Sequence, residues 1–254
     1  MSSRKLIVGN WKMHPASAED AKRIARRART VAAKLLRTNV VICPPFPFIF
    51  AASSRKPAAN FRLGAQSVSI EETGAHTGQV SAGMVRSLGA EYAIVGHSEE
   101  RAAGDTDQII SRKIARILDA GMTAIVCVGD GSRTEDGAHF DHIKNQIRDS
   151  LAGIPAEKTS RIVLAYEPIW AIGAKEPMSS ADIHETAIFV KKTFADIFGP
   201  EAGLKVKVLY GGAVNFRNAA EIIQAGQVDG LLVGHESVNM PGFVELLKAV
   251  DHIE

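Results

Sequence analysis

Eight short runs of β-branched and aliphatic residues recur along the chain, each followed by a turn and a stretch of helical period. They are Leu6–Val8, Val40–Ile42, Phe61–Leu63, Tyr92–Val95, Thr123–Val126, Ile162–Leu164, Val206–Leu209 and Gly230–Val233. Between them, apolar residues return at steps of three and four, as in Ile110, Ile114 and Ile117, or Ile183, Ala187, Val190, Phe194 and Ile197. Strict alternation of strand and helix implies parallel strands joined by helical crossovers. Eight such units in 254 residues match the size of a closed (β/α)8 barrel. An open doubly wound sheet would usually carry a glycine fingerprint after its first strand, whereas Val8-Gly9-Asn10-Trp11-Lys12 follows here. Without a Pro/Gly/Ser-rich linker, repeat or low-complexity tract, residues 1–254 read as a single catalytic domain with eight parallel strands.

Composition narrows the function classes. With 46% hydrophobic and 23% charged residues, the chain is neither disordered nor fibrous. A formal charge of +2 gives no reason to expect nucleic acid or an anionic membrane as a partner. The densest basic stretch, Lys22, Arg23, Arg26, Arg27 and Arg29, alternates with Ala21, Ile24, Ala28, Val31 and Leu35 and reads as the wet side of an amphipathic helix. Cys43 and Cys127 are far apart, with no metal-ligand spacing around them, which suits reduced, buried thiols in a cytoplasmic protein. Met1 to Lys5 has no apolar signal core, and the apolar stretch Val40 to Ala52 is broken by Pro44, Pro45 and Pro47, so no membrane span is expected.

In a parallel barrel the functional face lies at the carboxyl ends of the strands, so residues just after each run converge. Those are Asn10 and Lys12 after the first run, His97 and Glu99 after the fourth, Glu167 after the sixth, and the glycine turns Gly211-Gly212 and Gly234 after the seventh and eighth. Each has a structural alternative: a capping or ion-paired glutamate, a satisfied buried histidine, a surface lysine. Their joint placement on one rim favours a site. Tyr210-Gly-Gly-Ala-Val-Asn215 is expected to open a helix capped by Asn215, and bare amides at such a start suit a phosphate dianion.

Several segments resemble signatures of the triose-phosphate isomerase family. They are Gly9-Asn-Trp-Lys-Met13, Gly64-Ala-Gln-Ser67, Gly74-Ala-His-Thr-Gly78, Val95-Gly-His-Ser-Glu99, Ala165-Tyr-Glu-Pro-Ile-Trp-Ala-Ile-Gly173 and Tyr210-Gly-Gly212. The resemblance implies Glu167 as a carbon base, a neutral His97 donating to the substrate oxygens, Lys12 near the phosphate and oxyanion, and Asn10 hydrogen-bonding the reacting oxygens. That family is itself the standard instance of a carboxylate base tuned beside a neutral histidine. The resemblance further implies phosphate contacts from Gly173, Ala213, Gly234 and His235, supporting roles for Glu99, Thr77 and Tyr210, and a lid over Pro168–Gly173. Thr77 would reach a neighbouring subunit, so the implied partners are a triose phosphate and a second copy of the chain. No cofactor or metal is expected.

Departures from the family pattern are Glu100 in place of an arginine, Ala174-Lys-Glu-Pro177 in the lid, Ala213 in place of a serine and His235 in place of a glycine. His235 would be strained if the turn required positive φ. Its imidazole either points outward or touches the phosphate. The leading expectation is interconversion of dihydroxyacetone phosphate and D-glyceraldehyde 3-phosphate. The alternatives are a related isomerase for a tetrulose phosphate and a non-catalytic phosphate-binding barrel.

Overall fold

The computed structural model describes residues 4–54, 58–133, 136–171 and 178–253. Eight parallel strands close in sequence order into a barrel: β1 (Lys5–Asn10), β2 (Thr38–Cys43), β3 (Phe61–Ala65), β4 (Ala90–Val95), β5 (Thr123–Asp130), β6 (Ile162–Pro168), β7 (Lys207–Tyr210) and β8 (Gly230–Val233). The helices between them are α1 (Ala18–Ala32), α2 (Ile49–Ala52), α3 (Ala82–Ser87), α4 (Ser98–Ala102), α5 (Asp107–Asp119), α6 (Ala138–Ser150), α7 (Ser180–Phe198), α8 (Pro200–Lys205), α9 (Ala219–Ala225) and α10 (Met240–Asp251). The (β/α)8 expectation is borne out. Val206 falls outside β7, because it terminates α8 with its N–H on the Ala202 carbonyl.

Successive strand residues face opposite sides, so each strand feeds two cores. Leu6, Val8, Val41, Ile94, Ile125, Val163, Leu209 and Leu232 fill the barrel with Cys43 and Cys127, whereas Ile7, Val40, Ile42, Ala93 and Val126 meet the helices outside. Both cysteines are buried free thiols, as expected. In α1, Ala21, Ile24, Ala25, Ala28 and Ala32 are buried beneath the basic side. In α7, Ile183, Ala187, Val190 and Phe194 are buried, whereas Ile197 is exposed. Ser17, Ser81, Thr106 and Ser179 cap α1, α3, α5 and α7 by accepting an amide hydrogen three residues on. No helix among the described residues is long and apolar enough to cross a membrane.

Strand pairing sets the rim. β1 and β2 pair through Asn10 and Cys43, and β5 and β6 through Gly129 and Glu167. A side chain at Gly129 would run into the Glu167 carbonyl, so only glycine lets β5 approach β6 this closely. Asn10 and Glu167 are thus the last or near-last residues of strands, held by the ladder rather than by a loop.

Candidate active site

Asn10, Lys12, His97, Glu99 and Glu167 meet at the carboxyl end of the barrel. Glu167 is buried; its Oε2 accepts the Ser98 amide at 3.0 Å and its Oε1 lies 3.1 Å from His97 Nε2. His97 caps α4, with Nδ1 accepting the Glu99 N–H at 3.2 Å. A neutral ring so held carries its proton on Nε2, facing Glu167 and the cleft. Lys12 Nζ sits 2.7 Å from Glu99 Oε1.

Lys12 also has a left-handed backbone, φ 51°. Its N–H donates to Asn10 Oδ1 at 3.1 Å, and its carbonyl accepts Gln66 Nε2 at 2.8 Å. Such a conformation outside glycine costs about 1–3 kcal/mol and persists only when neighbours fix it. Here Asn10 and Gln66 are those neighbours, and the effect is to aim the ammonium over the rim.

The glycine turns lie on the same rim. A Cβ at Gly211 would sit 3.1 Å from Glu167 Cγ, and one at Gly234 would sit 3.8 Å from Lys12 Cε. Among the described residues, the amides of Gly212, Ala213, Gly234 and His235 donate to no protein acceptor. They form a cluster of donors beside an ammonium, which suits a phosphate dianion.

Two expectations at these turns change. The helix after β7 starts at Ala219 rather than at Asn215: Asn215 Oδ1 accepts the Arg217 amide while its own N–H donates to Asn218 Oδ1, so side-chain turns occupy residues 215–218 first. His235 has no positive φ, because Gly234 turns the chain at φ −81°, ψ −118° and His235 enters a 3-10 turn, His235–Ser237. Its imidazole is exposed and meets His14 edge-on, with ring centroids 5.8 Å apart. Glu100 lies 3.7 Å from Lys113 Nζ, in an ion pair with a helix neighbour.

Thr77 is exposed on the loop before α3. Tyr210 is buried, its hydroxyl accepting the Met178 amide at 3.3 Å. Gly173 and the departures Ala174 to Pro177 lie outside the described residues. The sequence reading missed Asp130, whose carboxylate accepts Tyr166 OH at 2.7 Å and Trp170 Nε1 at 3.0 Å. It also missed Gln66 as the brace of Lys12 and Ser98 as a donor to Glu167, although both lie inside the quoted motifs. A separate cavity of about 470 Å³ opens at the opposite end, lined by strand starts such as Leu6, Tyr92 and Thr123, and holds no paired base and imidazole.

Burial raises the Glu167 carboxyl to about 7, against the Ser98 amide and the Lys12 cation. Burial, followed by the Lys12 charge, lowers His97 to about 4. Near neutral pH the site therefore holds a carboxylate at the edge of ionisation and an uncharged imidazole.

The match to the family model described as triosephosphate isomerase runs over residues 5–250. The chain belongs to the triosephosphate isomerase family. It is 38% identical to the triosephosphate isomerase of Nocardia farcinica over 251 residues, covering 97% of this chain and 96% of that one. It is 35% identical to that of Thermoanaerobacter pseudethanolicus over 247 residues, covering 96% and 99%. The crystal structure of triosephosphate isomerase from Bartonella henselae superposes with a TM-score of 0.83 at 30% identity, covering 97% and 98%. Glu167, His97 and the glycine turns after β7 and β8 share one rim of the barrel.

Proposed function

We propose that this single-domain barrel interconverts dihydroxyacetone phosphate and D-glyceraldehyde 3-phosphate through an enediolate, as a cytoplasmic, cofactor-independent homodimer serving glycolysis and gluconeogenesis. The observation that carries the reaction is the 3.1 Å approach of buried Glu167 to a neutral His97 whose ring proton faces the cleft. The carboxylate takes the proton from the hydroxymethyl carbon next to the carbonyl, while Nε2–H donates to the carbonyl oxygen. The enediolate then regains a proton from Glu167 at the neighbouring carbon, and the oxygens exchange theirs through His97. Nothing is consumed but substrate. Lys12 and Asn10 stabilise the developing oxyanion, and preorganised donors of this kind are worth about 2.7–4 kcal/mol each. The amides of Ala213, Gly234 and His235 hold the phosphate, joined by Gly173. Glu99 holds Lys12, Tyr210 supports the turn beside Met178, and exposed Thr77 and Met13 supply the contact with the second subunit.

A coupled assay of the purified chain in excess chelator tests this reading. The expected result is triose-phosphate isomerisation unaffected by chelator, a kcat/KM far above that for tetrose phosphates, and a solution mass about twice 27.2 kDa. Activity on tetrose phosphate alone, or only after metal addition, contradicts it.

The two shifts give a pH prediction. The kcat/KM of the wild type falls on the acid side with a limb near 7, as Glu167 takes a proton. Stability behaves differently. The raised Glu167 contributes stability that is complete below 4.5 and lost as pH rises through 7; the depressed His97 contributes stability that is complete above 6.5 and lost as pH falls through 4. The two contributions run in opposite directions. In Glu167→Gln only the histidine contribution remains, so thermal melts should show the variant gaining on wild type between pH 5 and 7. A constant difference across that range contradicts the assignment.

A further inference from the structure

We propose that Arg101 is a positioning residue for the isomerase reaction, holding from behind both carbonyls that flank His97 and the strand that faces Glu167. The inference rests on the isomerase reading. Arg101 is on α4, one turn beyond His97, and its side chain turns back under the rim. Its Nε donates to the Gly96 carbonyl at 2.8 Å, and its own backbone N–H donates to the His97 carbonyl at 2.9 Å. The two peptide groups on either side of the imidazole are therefore tied to one residue. The far end of the fork reaches β5, where Nη2 meets the Cys127 carbonyl at 3.3 Å and Ser150 Oγ on α6 at 3.4 Å. Nη1 pairs with Asp107 at 2.7 Å, and Asp107 also accepts Ser150 Oγ at 2.8 Å.

The local backbone is built to admit this fork. Gly96 has φ 69°, and a Cβ there would lie 2.9 Å from the Cys127 carbonyl and 3.2 Å from Arg101 Nη2. A planar cation with fixed donors in two directions can hold β4, β5 and α6 at once, which a lysine point charge cannot. The guanidinium is also a fixed positive charge behind the base. Burial is the largest influence on Glu167 and raises its carboxyl; the Arg101 cation acts in the opposite direction.

Position and charge separate in two variants. Arg101→Lys keeps the charge and loses the fork, so kcat should fall roughly 10- to 100-fold, the range that a misplacement of about 1 Å produces. KM should stay within about threefold, because the phosphate amides are untouched. Its acid limb should coincide with that of wild type. Arg101→Met loses both, and its limb should move to higher pH as well. A folded Arg101→Lys with wild-type kcat overturns the proposal, and so does a folded Arg101→Met whose limb and kcat match wild type. If Arg101→Met does not fold by circular dichroism, the kcat and KM of Arg101→Lys decide alone. Wild-type activity in the same assay reports separately on the isomerase reading.

Discussion

Glu167→Gln is expected to lower kcat by about 10²- to 10⁴-fold, the usual contribution of a positioned general base, with little change in KM. Glutamine has nearly the same shape and can still accept the Ser98 amide, so the fold and the phosphate amides remain. What disappears is the one group able to take a carbon-bound proton: among the rim residues, His97 is already committed through Nδ1 to the Glu99 amide and carries its proton toward the cleft, and Glu99 is held by Lys12. Steady-state kinetics on both triose phosphates measures this, and a loss below about tenfold would assign the proton to another base.

Lys12→Met is the second large effect. A unit charge about 4 Å from a developing oxyanion or phosphate is worth roughly 4 kcal/mol at an effective dielectric of 20, before desolvation. That corresponds to at most about 10³-fold in kcat/KM. Because the ammonium serves bound phosphate and transition state alike, KM should rise while kcat falls, unlike Glu167→Gln. The methionine keeps the Asn10 and Gln66 contacts, which reach only the backbone of residue 12. A kcat/KM within tenfold of wild type would show that Lys12 serves only to balance Glu99.

Much of this was legible in the sequence, for a physical reason. Parallel strands buried on both faces write themselves as unbroken apolar runs, and the barrel then dictates that residues after those runs converge; Asn10, Lys12, His97 and Glu167 followed from that rule. Contacts between residues distant in the chain did not. Asp130 joins Tyr166 and Trp170 across 36 and 40 positions, and no local pattern marks it. The left-handed Lys12 was equally invisible, since a lysine gives no sign that Asn10 and Gln66 will hold φ at 51°. At residues 210–218 the glycine turn reads as a helix start, but Asn215 and Asn218 satisfy backbone groups in turns of their own and delay α9 to Ala219. At His235 the expected strain vanished because Gly234 carries the turn at negative φ.

Solvent exchange tests the central claim, that Glu167 moves a proton between two carbons. Wild-type enzyme incubated with dihydroxyacetone phosphate in D2O and followed by proton NMR should place deuterium on the reacting carbons as the isomers interconvert, and Glu167→Gln should slow that incorporation in step with turnover. Interconversion or exchange at full rate in the variant contradicts the account.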